Sequence, residues 1–486
     1  MSEWSSDTLD PENWDEFRAQ GHRMLDDILD YLENIRQRPV WQPIPALVRN
    51  SFHEPLPKSQ TELADVHAIF MNSILPFAVG NAHPGFMGWV HGGGTPVGLL
   101  ADMLSAGLNA NLGGRNQIPV EVERQVIRWS CELFGFPDDA SGLLMTGTSM
   151  ANLLAVLVAR TARLGQRVRQ QGIAADGAKL VAYTSEAAHG CISQAMDLSG
   201  FGRNALRIIP VDADFRINIE ALTHAIEADE RSGLTPFMLI GTAGSVDVGA
   251  IDELDALASL AKDKGLWFHI DGAYGALAML SPKLAPRLCG IEKADSLAFD
   301  FHKWGQVPYD AGCLLVRDGH MHYQTFASPS AYLRREVHGL AAGSPWPCDF
   351  GPDLSRSFRA LKVWFTLKTY GQAKLGSMIA GTCTLASYLA GQIDAHPELE
   401  RLAPVSLNIV CFRYCCDKPD KVNAQIVVAL HESGIAAPST TTLNGRLAIR
   451  VAIVNHRTRP SDIDALLKAS IALGRSLVSK PTAKTS

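Results

Sequence analysis

The chain has 486 residues, 47% of them hydrophobic and 19% charged, which suits a large globular protein and excludes a mainly disordered one. Its 44 basic and 50 acidic residues give a formal net charge of −6, so we expect no nucleic-acid partner. No apolar run has the length of a membrane span, and the acidic N-terminus does not resemble a signal peptide. Nine irregularly spaced cysteines are typical of reduced thiols, so we expect a cytoplasmic enzyme with no membrane association.

The first predicted element is an amphipathic helix. Asp10 and Pro11 suit an N-cap and a first turn, and apolar side chains recur at helical spacing from Trp14 to Ile35. Three prolines then end the helix, and an extended arm is expected to about residue 60. A lone helix of this kind cannot bury its apolar stripe, so it must pack on another domain or subunit.

Short β-rich runs alternate with helix-length amphipathic stretches between about residues 80 and 320. The runs start at Leu180, Leu206, Phe237, Leu266, Ser296 and Cys313. Strands separated by helices predict a mainly parallel sheet with helices on both faces.

The pattern changes after this region. Residues 321–350 are rich in Ser, Pro, Gly and His without a clear period, which predicts a long functional or mobile loop. A helical stretch after Gly371 and β-rich runs from Leu407 and Gly445 then predict a smaller α+β domain.

Three motifs follow predicted strands and therefore meet at one sheet edge. Thr148 and Ser149 begin an apolar helix after a glycine turn, where backbone N–H groups attract anions; an ordinary N-cap is the alternative. Asp271 ends a buried strand, where open α/β sheets bind ligands, although a structural carboxylate fits equally. Lys303 follows the strand from Ser296, but a single lysine is more often a solvated surface group.

An anion site, a carboxylate and a lysine at one edge together fit pyridoxal 5'-phosphate, which needs all three. Asp271 would keep the pyridine nitrogen protonated, since an adjacent negative charge favours the cationic form, and Lys303 would hold the aldehyde. No dinucleotide, P-loop or zinc signature competes, and no metal site is expected. A near match to a hydrolase elbow at residues 147–151 lacks its last glycine.

The chain resembles the group II pyridoxal-phosphate-dependent amino-acid decarboxylases, which include the aromatic-L-amino-acid, histidine and glutamate decarboxylases. The resemblance runs from about Trp14 to residue 470, and DGAYG followed by HKW is its specific part. Further support comes from HPGFMGWV, LADML, ELFGFP, TGTSMANLLAVLVAR, AAHGCISQA and FRALKVWFTLKTYG. It implies an α/β, aspartate-aminotransferase-like fold of type I, with a mainly parallel seven-stranded sheet in the large domain and a smaller α+β C-terminal domain.

The resemblance also implies residue roles and an assembly. Its catalytic residues are Lys303, His189, Tyr332 and Asp271, with His189 stacked on the cofactor ring and Tyr332 on the 321–350 catalytic loop. Its cofactor-binding residues are Thr148, Ser149, His189, Thr242, Asp271, Ala273, His302 and Lys303. It implies a homodimer with the active site at the interface, in which residues 1–80 form an arm on the partner, 81–370 bind the cofactor and 371–486 form the small domain.

The predicted substrate pocket departs from the aromatic enzymes of the family. Trp89, His91 and Asn111 occupy pocket positions, but the glycine run 92–94 and the run ending at Arg115 are small and polar. An aromatic amino acid is the predicted substrate, with a polar or acidic one as the alternative.

The predicted reaction is decarboxylation of an L-amino acid to an amine and CO2. An aldehyde synthase, which also deaminates oxidatively, is the nearest alternative; the family carries phenylalanine at the position of Tyr332 when it forms aldehyde. A cofactor-free scaffold protein would require Lys303 to have no chemical role. Asp300 stands where the animal enzymes carry asparagine, and the sequence assigns it no function.

Overall fold

The computed structural model describes residues 8–173, 177, 179–328 and 331–479. Its helices are α1 (Trp14–Glu33), α2 (Ala46–Ser51), α3 (Leu63–Ile69), α4 (Pro96–Leu108), α5 (Ile118–Phe134), α6 (Thr148–Leu164), α7 (Val168–Gln171), α8 (Cys191–Leu198), α9 (Ile219–Arg231), α10 (Leu254–Lys264), α11 (Gly319–Phe326), α12 (Arg359–Asp394), α13 (Pro419–Glu432) and α14 (Pro460–Ser479). Its strands are β1 (Phe86–Met87), β2 (Ser141–Met145), β3 (Leu180–Ser185), β4 (Leu206–Ile209), β5 (Thr235–Thr242), β6 (Trp267–Asp271), β7 (Ser296–Asp300), β8 (Gly312–Val316), β9 (Leu399–Arg401), β10 (Ile409–Tyr414), β11 (Ala437–Leu443) and β12 (Arg446–Ala452).

The larger sheet has seven strands in the order β2-β8-β7-β6-β5-β3-β4. Only β8 runs antiparallel to its neighbours, so the prediction of a mainly parallel seven-stranded sheet is confirmed. Apolar side chains cover both faces: in β5, Leu239 joins one hydrophobic cluster while Met238 and Ile240 join the other. Such a doubly covered sheet leaves the carboxyl ends of its parallel strands as the place for polar chemistry.

The smaller sheet has the order β1-β11-β12-β10-β9 and is antiparallel except where β1 pairs with β11. The pairing of Phe86 with Ala437 places β1 in this sheet, although β1 lies within residues 81–370, the segment predicted as the large domain. At the other predicted boundary, α12 is interrupted at Gly371, whose φ of 66° is not helical. The chain therefore enters the small domain through a bend.

The N-terminal segment differs from the prediction at two places. The N-cap of α1 is Asn13, whose side chain accepts hydrogen bonds from Asp15 N–H and Glu16 N–H, so Asp10 and Pro11 lie outside the helix. The expected extended arm contains the short helix α2. The chain leaves the N-terminal part of the apolar stripe uncovered, because Trp14 is 56% exposed and Phe17 is 45% exposed, whereas it buries Ile35 at the other end.

The predicted loop at residues 321–350 is shorter than expected. Its first residues continue α11, which the Asp318 side chain caps by accepting from Met321 N–H. After Phe326, the described part contains only short 3-10 turns. Buried Trp346 anchors it, with the Arg335 guanidinium 3.5 Å above its ring. Within the described ranges, no helix is both long and apolar enough to cross a lipid bilayer.

Candidate active site

A cavity of about 390 Å3 opens at the carboxyl ends of β5, β6 and β7. The structure brings ten of the predicted site residues to its wall: Trp89, His91, Thr148, Ser149, His189, Thr242, Asp271, Ala273, His302 and Lys303. Thr242 and Asp271 end β5 and β6, and the others lie on segments that follow strands. The large sheet therefore accounts for the convergence of all but Trp89 and His91, which follow β1 of the smaller sheet.

Asp300, which the sequence left without a role, is the charged centre of this wall. It is fully buried, and its Oδ2 lies 2.9 Å from Lys303 Nζ. It also accepts hydrogen bonds from Thr148 N at 2.9 Å and from Thr148 Oγ1 at 2.7 Å. Asp300 therefore ties the lysine to the first residue of α6.

The same contacts modify the predicted anion site at the start of α6. Both Thr148 donors serve Asp300 rather than a ligand. Ser149 N–H, the next donor, has no acceptor among the described residues. Ser149 is thus the residue of this pair that remains available to an anion at the helix N-terminus.

His302 borders Asp300 from the other side. Its Nδ1 accepts a hydrogen bond from Ala311 N at 3.0 Å, and its Nε2 lies 3.6 Å from Asp300 Oδ2. Burial lowers the pKa of His302, so the ring is neutral at pH 7 and carries its proton on Nε2, facing the carboxylate.

Asp271 lies at the end of β6 and is 4% exposed. Its Oδ1 accepts from Ala273 N at 3.1 Å and its Oδ2 accepts from Asn152 Nδ2 at 3.1 Å. Burial raises the pKa of Asp271, while the charge of Lys303 and these two hydrogen bonds oppose that rise. A cationic group placed against this carboxylate would gain strongly from the interaction, since little water screens it.

The remaining wall has features that fit a planar phosphorylated ring. The Thr242 hydroxyl is buried and has no hydrogen-bond partner within the described part of the chain. The His189 ring is oriented by Cys191 N–H, which donates to its Nδ1 at 3.2 Å. An unpaired buried hydroxyl requires a ligand or water, so the donors, the carboxylate and the lysine present here suit pyridoxal phosphate.

An aromatic wall closes the outer side of the cavity. The rings of Trp89 and His91 stack with centroids 6.0 Å apart, and Tyr309 meets His91 edge-on at 5.9 Å. Burial raises the pKa of Tyr309 to about 12, so its phenol stays neutral. Position 92 requires glycine, because a Cβ there would collide with the backbone oxygens of His302 and Lys303.

Two predicted site residues lie elsewhere in the chain. Tyr332 is 76% exposed and lines a separate cavity with Asn111 and Arg115. Arg115 stacks on Trp346, with its guanidinium 4.6 Å from the ring. A single chain therefore does not bring Tyr332 or Asn111 to Lys303.

The sequence motifs did not identify the buried polar residues next to Asp271, on its side away from the cavity. Asn152 follows Thr148 by four positions and so shares its face of α6. His269 precedes Asp271 by two positions, and Ser296 pairs with it across β6 and β7. Helical and strand periodicity could have identified all three as neighbours of the carboxylate.

The fold and this cavity define a class, the pyridoxal-phosphate-dependent α/β enzymes. The model of the pyridoxal-dependent decarboxylase conserved domain matches residues 45–415. The chain is 32% identical to an aromatic-L-amino-acid decarboxylase of Bacillus atrophaeus, over 92% of this chain and 93% of that protein. This chain belongs to the pyridoxal-dependent decarboxylase family and is a pyridoxal-phosphate-dependent amino-acid decarboxylase.

Other relatives show what the family contains. Tyrosine decarboxylase 4 of Petroselinum crispum is 30% identical over 96% of this chain and 94% of its own length. Phenylacetaldehyde synthase of Petunia hybrida is 28% identical over 92% and 91%, respectively. The crystal structure of Catharanthus roseus tryptophan decarboxylase with L-tryptophan superposes with a TM-score of 0.85, at 26% identity, covering 96% of this chain and 100% of that one.

Proposed function

We propose that this protein decarboxylates an aromatic L-amino acid to its amine as a cytoplasmic homodimer. The observation that carries the proposal is the aromatic wall of Trp89, His91 and Tyr309 in the cavity that contains Lys303. Aromatic rings pack favourably against such faces and edges. The named aromatic substrates of several relatives support the same class.

An acidic substrate lacks a partner in this cavity. None of the described residues that line it is an arginine, and its one lysine, Lys303, is paired with Asp300. Arg115, the cation that could have favoured an acidic side chain, lines the same cavity as Tyr332 and could approach the partner's site with it, but its guanidinium is stacked on the Trp346 ring. A buried carboxylate without a cation is costly, so the wall disfavours glutamate and aspartate.

The cofactor, when bound, supplies a ring that withdraws electrons from the substrate Cα as CO2 leaves. Asp271 is the residue suited to hold the ring nitrogen protonated, and Ser149 N–H and the Thr242 hydroxyl are donors suited to the phosphate. His189 would cover one ring face. Lys303 Nζ would hold the cofactor aldehyde until an amino group displaces it.

Tyr332 is the proposed proton donor to Cα, acting from the neighbouring subunit. Its exposed phenol lies on the segment after α11, outside the Lys303 cavity of its own chain. Closing over the partner's cavity would bring the hydroxyl to the substrate and keep water and dioxygen out. Rapid protonation favours amine over aldehyde, which supports the decarboxylase over the synthase.

A dimer would bury apolar side chains of α4 and α1 that are exposed in the single chain. In α4, Met103 and Leu104 are 51% and 48% exposed, and Leu108 is 62% exposed. Trp14 and Phe17 of α1 are exposed as well, and large exposed apolar surface is typical of interaction sites. A two-fold interface between chains would cover them.

A substrate panel tests this function. We expect kcat/KM for L-tryptophan, L-tyrosine or L-phenylalanine to exceed that for L-glutamate by at least roughly 100-fold, since an unpaired buried carboxylate costs several kcal/mol. Trp89→Ala should lower kcat/KM for the aromatic substrates, whereas the matched variant Trp364→Ala, far along the chain in α12, should not. Preference for glutamate, or an unchanged preference in Trp89→Ala, would overturn the proposal.

A further inference from the structure

A continuous line of buried polar groups lies behind Asp271. Its carboxylate accepts from Asn152 Nδ2 at 3.1 Å, and Asn152 Oδ1 lies 2.8 Å from His269 Nε2. His269 Nδ1 is 2.8 Å from Ser296 Oγ, which accepts from Trp267 Nε1 at 2.8 Å. Asn152, His269 and Ser296 are fully buried on α6, β6 and β7, so the line is held by rigid elements.

The donor and acceptor properties of these groups determine which way the hydrogen bonds along the line point. An indole N–H can only donate, so the Ser296 oxygen accepts from Trp267 and its own proton is free for His269 Nδ1. Burial lowers the pKa of His269 to about 3, so the ring is neutral and has one proton to place. With Nδ1 accepting, that proton is on Nε2 and is donated to Asn152 Oδ1.

This direction determines whether the NH2 group or the oxygen of Asn152 faces Asp271. Once its oxygen is used by His269, Asn152 turns its NH2 group to Asp271 Oδ2, with Cys191 Sγ also 3.2 Å from the same nitrogen. In the opposite direction, His269 Nδ1–H would donate towards Ser296 and the Asn152 oxygen would face Asp271. That arrangement requires a protonated Asp271, because two acceptor oxygens repel each other.

We propose that Asn152 and His269, oriented by Ser296 and Trp267, are positioning residues that keep Asp271 ionised and aimed at the cofactor ring nitrogen. None of them lies against the cofactor ring in this scheme; they act through the carboxylate. The inference rests on the proposed role of Asp271 and extends it to the residues behind it. A hydrogen bond to a charged group contributes more than one between neutral groups, so its loss should be measurable.

The test reads the ring nitrogen directly. Holoenzyme is loaded with pyridoxal phosphate labelled with 15N at the ring nitrogen, and the 15N chemical shift is recorded at pH 7 with cofactor content, kcat and KM. We expect Asn152→Leu and His269→Leu to move the signal towards the unprotonated value and to lower kcat roughly 10- to 100-fold, with KM little changed. Thr161→Val, an isosteric change at a buried site on the same helix, is the control and should behave as wild type.

A conservative variant separates orientation from packing. Glutamine at position 269 keeps a donor for Asn152 Oδ1 and an acceptor for Ser296, so His269→Gln should retain the protonated signal that His269→Leu loses. Should a leucine variant fail to fold, the comparison of His269→Gln with Asn152→Ser in folded holoenzyme replaces it. Identical signals in wild type, Asn152→Leu and His269→Leu would overturn the proposal.

Asp271→Asn provides the reference in the same measurement. If it moves the ring-nitrogen signal and the Asn152 and His269 variants do not, the inference about the positioning residues is wrong and the role of Asp271 stands. If Asp271→Asn itself leaves the signal and kcat unchanged, the proposed role of Asp271 is wrong. The two failures are therefore distinguishable.

Discussion

Mixing two defective variants can test whether the proposed site is shared, because Lys303 and Tyr332 line different cavities of one chain. Lys303→Ala subunits lack the group that would hold the cofactor. Tyr332→Phe subunits keep that group and the packing of the ring, but they have no phenolic proton to give. We expect the first homodimer to be inactive and the second to form aldehyde, ammonia and peroxide at the expense of amine.

The expected recovery follows from the two-fold arrangement. In a heterodimer of the two variants, one site combines the intact Lys303 of one subunit with the intact Tyr332 of the other, and the second site lacks both. Random reassociation of equal amounts makes half of the dimers mixed, so amine formation per subunit should return to about a quarter of the wild-type value. Purified heterodimers carrying two different affinity tags should reach about half.

Amine is quantified by mass spectrometry after reassociation, with each variant mixed with itself as the control. Tag pull-down confirms that heterodimers have formed. Amine output no higher than the mean of the two parents, in a sample that contains heterodimers, would refute the shared site. Tyr332 would then act within its own subunit or only pack the loop.

Three further outcomes are expected. Lys303→Ala should abolish the borohydride-trappable link to cofactor without altering the far-UV circular dichroism, and trapping at another lysine would contradict the assignment. Glu123→Gln should lower the free energy of unfolding in urea by roughly 3–5 kcal/mol, because Glu123 is 3% exposed and its Oε2 lies 3.1 Å from buried Arg356 Nη1; a loss below about 1 kcal/mol would contradict a buried pair. Burial lowers the pKa of both His269 and His322 to about 3, against 6.5 when unfolded, so the unfolded chain binds their protons first and stability should fall below pH 6.5. Each histidine should cost roughly 2 kcal/mol at pH 5, and His322→Leu should show a shallower decline; an equal slope in that variant would contradict the assigned pKa.

The sequence predicted the large sheet closely because its strands are continuous apolar runs. The predicted run from Leu180 coincides with β3, and the run from Ser296 coincides with β7. Strand β11 was missed because APSTTTL has no such run; its threonines form a strand by pairing with β12. The start of α1 was predicted too early, because Asn13 and not Asp10 is its N-cap.

The sequence predicted the part of the site whose residues lie at the carboxyl edge of one sheet. Motifs after strands place Asp271 and Lys303 together, and the fold brings them to one cavity. Tyr332 and Asn111 could not be located in the same way, since the chain places them at a cavity separate from that of Lys303. Asp300 could not be given its role from sequence either, because only the folded structure shows that it joins Lys303 to α6.

The product balance of the wild-type holoenzyme distinguishes a decarboxylase from an aldehyde synthase. With L-tyrosine or L-tryptophan in air-saturated buffer, CO2, amine and hydrogen peroxide are measured in the same closed vessel. We expect amine equal to CO2, with peroxide at background, because the proposed donor Tyr332 would protonate Cα before dioxygen can react. Peroxide and aldehyde formed in parity with CO2 would contradict it and identify an aldehyde synthase.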